Sequence, residues 1–197
     1  MKAKRNYRDS MFRKLFNDKK ALLELYNALA DTNYRDTKAL RIATLRGTFF
    51  NDVKNDVAFT LDGKFIILFE HQSTVNENMP LRCLFYAAKI YYRLIDAKMI
   101  YRAALFKIPT PQFHVFYRGK AKLPPTMTLR LSDAFLGPGG MMELTVTVHN
   151  ISRDIRNPLL KKVKPSTATA SSWTWWRKKN RTAPARRTPS GKRSATS

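Results

Sequence analysis

Apolar residues recur at three- and four-residue spacing across residues 9–30, first as Phe12, Leu15 and Phe16, then as Leu22, Leu25, Tyr26 and Leu29. That period predicts helix, with Asn17-Asp18 as a break and a new N-cap. Thr32 to Asp36 is a polar connection, and Ala39 to Phe50 fits neither the helical nor the strand period. Asp56 to Thr60 and Phe65 to Gln72 read as strands flanking the turn signal Asp62-Gly63. In the second run, Phe65-Ile66-Ile67-Leu68-Phe69 is apolar at both parities up to Glu70. A central strand covered on both faces fits that pattern.

Pro80 suits the first turn of a following helix. Leu81, Leu84, Phe85, Ala88, Tyr91, Tyr92 and Ile95 form one apolar stripe along it, with Arg82, Tyr86, Lys89 and Arg93 opposite as a solvated face. Phe113 to Tyr117, closed by Gly119, is a third strand, and Leu144 to His149 a fourth, after the loop Gly137-Pro138-Gly139-Gly140. Helix, hairpin, helix and strand in this order predict an α/β protein, a mixed sheet with helices on both faces.

Composition sharpens the picture through charge. Lys and Arg number 37 against 14 acids, a net charge of +23, which favours polyanion partners such as nucleic acid or an anionic surface. Residues 161–197 hold 11 Lys/Arg and no acid, and all three tryptophans, but no Leu, Ile, Phe or Tyr. Such a segment predicts a disordered basic tail after a domain of residues 1–160. Read from the third base of each codon, and with TCN codons for the serines, Ser171 to Trp176 becomes apolar, apolar, Asp, apolar, Val, a better core segment than the one written. A frameshift near Val163 to Pro165 is one reading of the tail, and a natural basic arm is the other. The lone Cys83 excludes an internal disulfide framework and a multi-cysteine zinc site, and reads as helix packing. No apolar run reaches the length of a membrane span, and Met1 to Tyr7 has no signal-peptide core. The expectation is a cytoplasmic protein.

The residues that carry chemistry end the predicted hairpin: Asp56, then Glu70-His71-Gln72. Alternation sets Glu70 and Gln72 on one face and His71 on the other. Acids ending a buried strand are costly unless paired, hydrogen-bonded or holding a cation. Oxygen ligands with water suit magnesium, which activates water and neutralises phosphate charge. Taken singly, Asp56 could cap a turn and Glu70 could pair with Lys54. His114 and His149 have no partners in spacing and read as structural.

Loop length decides whether the two acids can meet. A two-residue loop, Asp62-Gly63, pairs Leu61 with Lys64 and puts Asp56 and Glu70 on opposite faces. A three-residue loop, Leu61-Asp62-Gly63, pairs Thr60 with Lys64 and Asp56 with Leu68, leaving Glu70 diagonally beside Asp56. A shared site therefore predicts an odd loop, with Gly63 third in a left-handed position.

An acid on one strand, then acid-x-Lys/Gln on the next before a helix, resembles the PD-(D/E)XK nuclease core. More narrowly, Tyr7–Phe16, Asn55-Asp56-Val57-Ala58-Phe59, Phe69-Glu70-His71-Gln72-Ser73, Met79-Pro80-Leu81-Arg82 and Ile108-Pro109-Thr110-Pro111 resemble the Rpn family. These are recombination-promoting nucleases, also described as transposases. The likeness continues through Leu131-Ser132-Asp133-Ala134-Phe135 to Asn157-Pro158-Leu159-Leu160. It implies a restriction-endonuclease-like mixed β-sheet flanked by helices, and a magnesium-dependent endonuclease acting on double-stranded DNA. Asp56, Glu70 and the main-chain carbonyl of His71 would hold Mg2+. Gln72 would stand where the broader pattern has Lys, orienting water without supplying charge. Arg82, Lys89 and Arg93 are candidate phosphate contacts. A catalytically inactive DNA-binding remnant is the alternative.

Overall fold

The computed structural model describes residues 18–44, 56–152, 157–167, 169–170 and 174. Helix α1 (Lys19–Ala30) starts where the sequence places its N-cap, with Asp18 Oδ1 accepting from Lys20 N–H at 2.8 Å. It stops at Asp31, whose left-handed backbone (φ 55°) turns the chain out. The helix expected over residues 9–17 lies outside the described residues.

Strands β1 (Leu40–Ile42), β2 (Val57–Leu61), β3 (Phe65–Gln72), β4 (Thr110–Tyr117), β5 (Thr126–Arg130) and β6 (Thr145–Asn150) form one mixed sheet in the order β1-β2-β3-β4-β6-β5. The neighbours β1/β2, β2/β3 and β5/β6 are antiparallel, whereas β3/β4 and β4/β6 are parallel. Helix α2 (Met79–Leu94), with Pro80 in its first turn, and the short α3 (Ala97–Ile100) make the crossover from β3 to β4. Helix α4 (Pro158–Lys162) follows β6. The α/β expectation with helices on both faces holds, and β1 and β5 are additions to it.

Strand β3 is central and sealed on both sides. Ile67 and Phe69 join Val57, Phe59 and Leu61 under Leu22, Leu25 and Tyr26 of α1. Ile66 and Leu68 join Ala58, Phe113 and Val115 under Met79, Cys83, Tyr86, Ala87 and Ile90 of α2. This last set corrects the expected stripe. Leu81, Phe85, Ala88 and Tyr92 face outward, and Tyr86, placed on the solvated face, is buried. The helix is apolar almost all round, so periodicity cannot say which side packs. The side with the small residues Cys83 and Ala87 lets the backbone approach the sheet. Cys83 is the packing residue expected, and burial, with the charge of Glu70, pushes its thiol up to about 12.

The hairpin register is odd, as a shared acid site requires, although its loop is one residue later than expected. Leu61 pairs with Phe65 and Val57 with Phe69, leaving Asp62-Gly63-Lys64 as the loop. Lys64 N–H donates to Leu61 O at 3.0 Å, and both central residues are left-handed, Asp62 at φ 52° and Gly63 at φ 63°. That is a type I′ turn with Lys64 as the extra residue. Gly119 permits a second close approach, since a Cβ there would meet the Tyr117 hydroxyl and the Ser73 carbonyl.

Parallel register also joins two residues that are far apart in sequence. His114 Nδ1 and His149 Nε2 lie 3.1 Å apart, with the rings stacked at 5.3 Å. One proton is shared there, so charging both rings would set N–H against N–H. Burial, and the neighbouring ring, lower His114 from 6.5 to about 3, and burial lowers His149 to about 4. Beyond residue 160, Val163 and Thr169 are buried, and Thr169 donates to Glu24 of α1. The packed chain thus extends into the segment expected as tail.

Two outcomes follow from these features. Gly63→Ala forces a left-handed alanine and should lower unfolding free energy by about 1–2 kcal/mol in urea titrations. For the histidines, the folded pKa values lie below the unfolded one, so stability is fully present above pH 6.5 and lost as pH falls towards 4. The slope should approach, and not exceed, about 1.4 kcal/mol per pH unit for each ring. A His114→Gln/His149→Gln protein should show a flatter dependence across the same window.

Candidate functional site

The register places Asp56, one step before Val57, opposite Glu70, one step after Phe69. Both therefore share the α2 face with Ala58 and Leu68, and alternation adds Gln72 to the same face. Two hydrogen bonds lock the pair. Asp56 N–H donates to Glu70 Oε1 at 3.0 Å, and His71 N–H donates to Asp56 Oδ2 at 2.9 Å. Each acid is thus held through the other's strand.

Glu70 is only 4% exposed. Charge at that depth needs an answer, and Arg82 Nη2 from the first turns of α2 lies 3.6 Å from Oε2. Arg82 is itself positioned by Tyr86, whose hydroxyl accepts from Nε at 3.1 Å and Nη2 at 2.7 Å. Burial, with the charge of Glu70, pushes the Tyr86 phenol up to about 12, so it stays protonated and neutral. The Gln72 amide and Arg82 Nη1 both rest on Met79 Sδ. The start of α2 is therefore fastened to the end of β3 by polar contacts among Glu70, Gln72, Met79, Arg82 and Tyr86.

Of the expected site residues, Asp56, Glu70 and Gln72 come together, and Arg82 joins them. His71 contributes main chain, while its ring alternates to the α1 face. Lys89 and Arg93 lie further along α2, Lys89 half-buried and Arg93 exposed, away from the acids. Lys54 lies outside the described residues. Met79 and Tyr86 were missed as site residues. The signal available for Tyr86 was its four-residue spacing from Arg82 on the helix following the acid strand.

Among the described residues no group of three or more His, Cys, Asp or Glu is placed to hold a metal ion. Asp56 and Glu70 are a pair of hard oxygen donors, and the chemistry of that pair suits a divalent cation with main-chain oxygen and water completing the shell. A cleft of about 530 Å³ opens on the other face by Leu29, Gln112, His114 and Thr147, and another lies between α1 and residues 162–167. Neither is lined by Asp56, Glu70 or Gln72. Among the described residues no helix is long and apolar enough to cross a membrane. Comparison with protein-family models, curated proteins and solved structures returned no match.

The ion pair gives a stability test. Arg82→Met removes the cation beside Glu70, and should cost roughly 1–2 kcal/mol at pH 7, less than a sealed pair because the arginine side chain is 39% exposed. In a Glu70→Gln background the same substitution should cost clearly less. An equal cost in both backgrounds would assign the effect to Tyr86 and Met79 instead.

Proposed function

We propose that this chain is a magnesium-dependent DNA endonuclease that hydrolyses phosphodiester bonds, of the Rpn kind associated with recombination or mobile elements. The observation that carries the reading is the direct opposition of Asp56 and Glu70 on one face at the end of a buried strand. The order of the sheet adds support, since an antiparallel hairpin, a crossover helix and a parallel strand are what a restriction-endonuclease-like core requires. The charge of +23 suits double-stranded DNA as the substrate.

Asp56, Glu70 and the His71 carbonyl would hold the cation. When bound, magnesium supplies an activated water and offsets charge on the phosphate. Gln72, on the same face, orients the attacking water through its amide and supplies no charge. Arg82 supplies that charge, standing beside Glu70 where a phosphate oxygen could take it over as hydrogen-bond partner.

A second reading, an inactive DNA-binding remnant, is favoured by one observation. Glu70 is already answered by the Asp56 N–H and by Arg82, so the fold itself has no need of a metal. Supercoiled-plasmid cleavage with and without magnesium separates the two. Asp56→Asn and Glu70→Gln keep an acceptor oxygen for the local hydrogen bonds while removing charge, and each should lower cleavage at least about 100-fold with unchanged circular dichroism. Undiminished cleavage by either variant would defeat the assignment, and magnesium-independent DNA binding with no cleavage by the parent protein would establish the remnant.

A further inference from the structure

The outward side of α2 is as apolar as the side that packs on the sheet. Leu81, Phe85, Ala88 and Tyr92 follow one another at four, three and four residues, which stacks them in one line along the helix. Leu81 is 38% exposed, Phe85 57% and Tyr92 86%. The Tyr91 hydroxyl donates to Pro109 O, which brings the chain next to Ile108, itself 47% exposed, near the helix's C-terminal half. A helix apolar on two opposite sides belongs between two layers, and among the described residues only one layer packs on it.

We propose that this face is the interface of a homodimer in which α2 packs antiparallel against α2 of a second copy. Three observations favour a second copy over other occupants. The line is self-complementary. A two-fold axis between Phe85 and Ala88 sets the large Phe85 of one copy on the small Ala88 of the other, and Leu81 on Tyr92, each contact occurring twice. Its area also fits. Leu81, Phe85, Tyr92 and Ile108 expose roughly 500 Å², taking about 200 Å² for each full side chain. A stable interface needs roughly 800 Å² per partner with about 65% of it apolar for a homodimer, and Leu84 and Ala88 with a polar rim supply the remainder.

The charges favour this occupant as well. The helix carries no acid, and its Lys89 and Arg93 lie to one side of the apolar line. A two-fold axis perpendicular to the helix pair keeps both copies' basic residues on the same side, flanking the seam rather than crossing it. Their repulsion is that of exposed charges and is screened within a Debye length of about 8 Å at physiological salt. Association through this face should therefore hold or strengthen as salt rises, the reverse of binding to DNA or to an anionic lipid surface.

The test is the mass of the full chain by sedimentation equilibrium from 1 to 100 µM, in 0.05 and 0.5 M NaCl, with Phe85→Glu as the variant. Phe85 is exposed and outside the acid site, so the substitution leaves the core intact, as circular dichroism would check. The parent protein should be dimeric at the higher concentrations, undiminished by salt, and Phe85→Glu should weaken the dimer at least about tenfold. Register is tested by mixing Leu81→Cys and Tyr92→Cys proteins under mild oxidation. In the antiparallel seam these two positions meet, whereas like positions stand about 16 Å apart along the axis, beyond disulfide reach. The mixed disulfide should dominate, and the native Cys83, buried beneath the helix, should stay out of it. A parent protein monomeric at 100 µM in 0.5 M NaCl, a dimer indifferent to Phe85→Glu, or a preference for like-with-like disulfides would each overturn the proposal. A monomer that floats with phosphatidylserine vesicles and loses this in Phe85→Glu would assign the face to a lipid surface and overturn it too.

Discussion

A carboxylate at the end of a strand sealed on both faces has to find donors or positive charge, and much of this molecule is arranged around that need. Glu70 continues a strand whose preceding residues are packed under α1 on one side and α2 on the other. Its two oxygens are answered from different directions, one by the main chain of the neighbouring strand and one by the first turns of the crossover helix. The first contact fixes where β2 begins, and the second fixes where α2 begins. Burial of an acid thereby becomes a device for locating two elements, at a place where apolar packing alone would leave their ends free to slide.

The sheet is asymmetric in what covers it. On the α2 side, apolar residues run from Ala58 across to Val146 and Val148. On the α1 side, the apolar surface ends at Phe116, and beyond it Thr126, Thr128, Thr145 and Thr147 continue the face around the His114–His149 pair. Two neutral imidazoles thus sit at the border between core and polar surface, which is why each has lost affinity for a second proton.

How much of this was legible in the sequence depends on whether one residue pattern had one physical meaning. The strand at Phe65 to Gln72 was legible to the residue, because an apolar run at both parities admits few alternatives to a buried central strand. Its acids were legible too, since alternation together with loop parity forces Asp56 and Glu70 either onto one face or onto opposite ones. The packed side of α2 was not legible. Leu81 and Phe85 are more apolar than Cys83, Tyr86 and Ala87, yet what decides burial is how closely the backbone can approach the sheet. The histidine pair was hidden because parallel pairing joins positions 35 residues apart, a distance over which local spacing says nothing. Strand β1 escaped for lack of length, at three residues, whereas β5 carries a short alternation in Thr126-Met127-Thr128-Leu129-Arg130 that was there to be read. The loop was placed one residue early because Asp62, and not glycine alone, accepts the left-handed backbone.

Surface turns are ordinarily where a protein family tolerates gain or loss of a residue, since loop closure depends only weakly on length. The turn at Asp62-Gly63-Lys64 is exposed, and by that measure it is free to drift. Its length nevertheless sets a parity. One residue more or fewer turns Asp56 to the opposite side of the sheet from Glu70, and turns Val57, Phe59 and Leu61 of β2 away from the α1 core with it. Substitutions within the loop and changes in its length should therefore evolve under different rules, the first freely apart from the left-handed positions, the second only in steps of two.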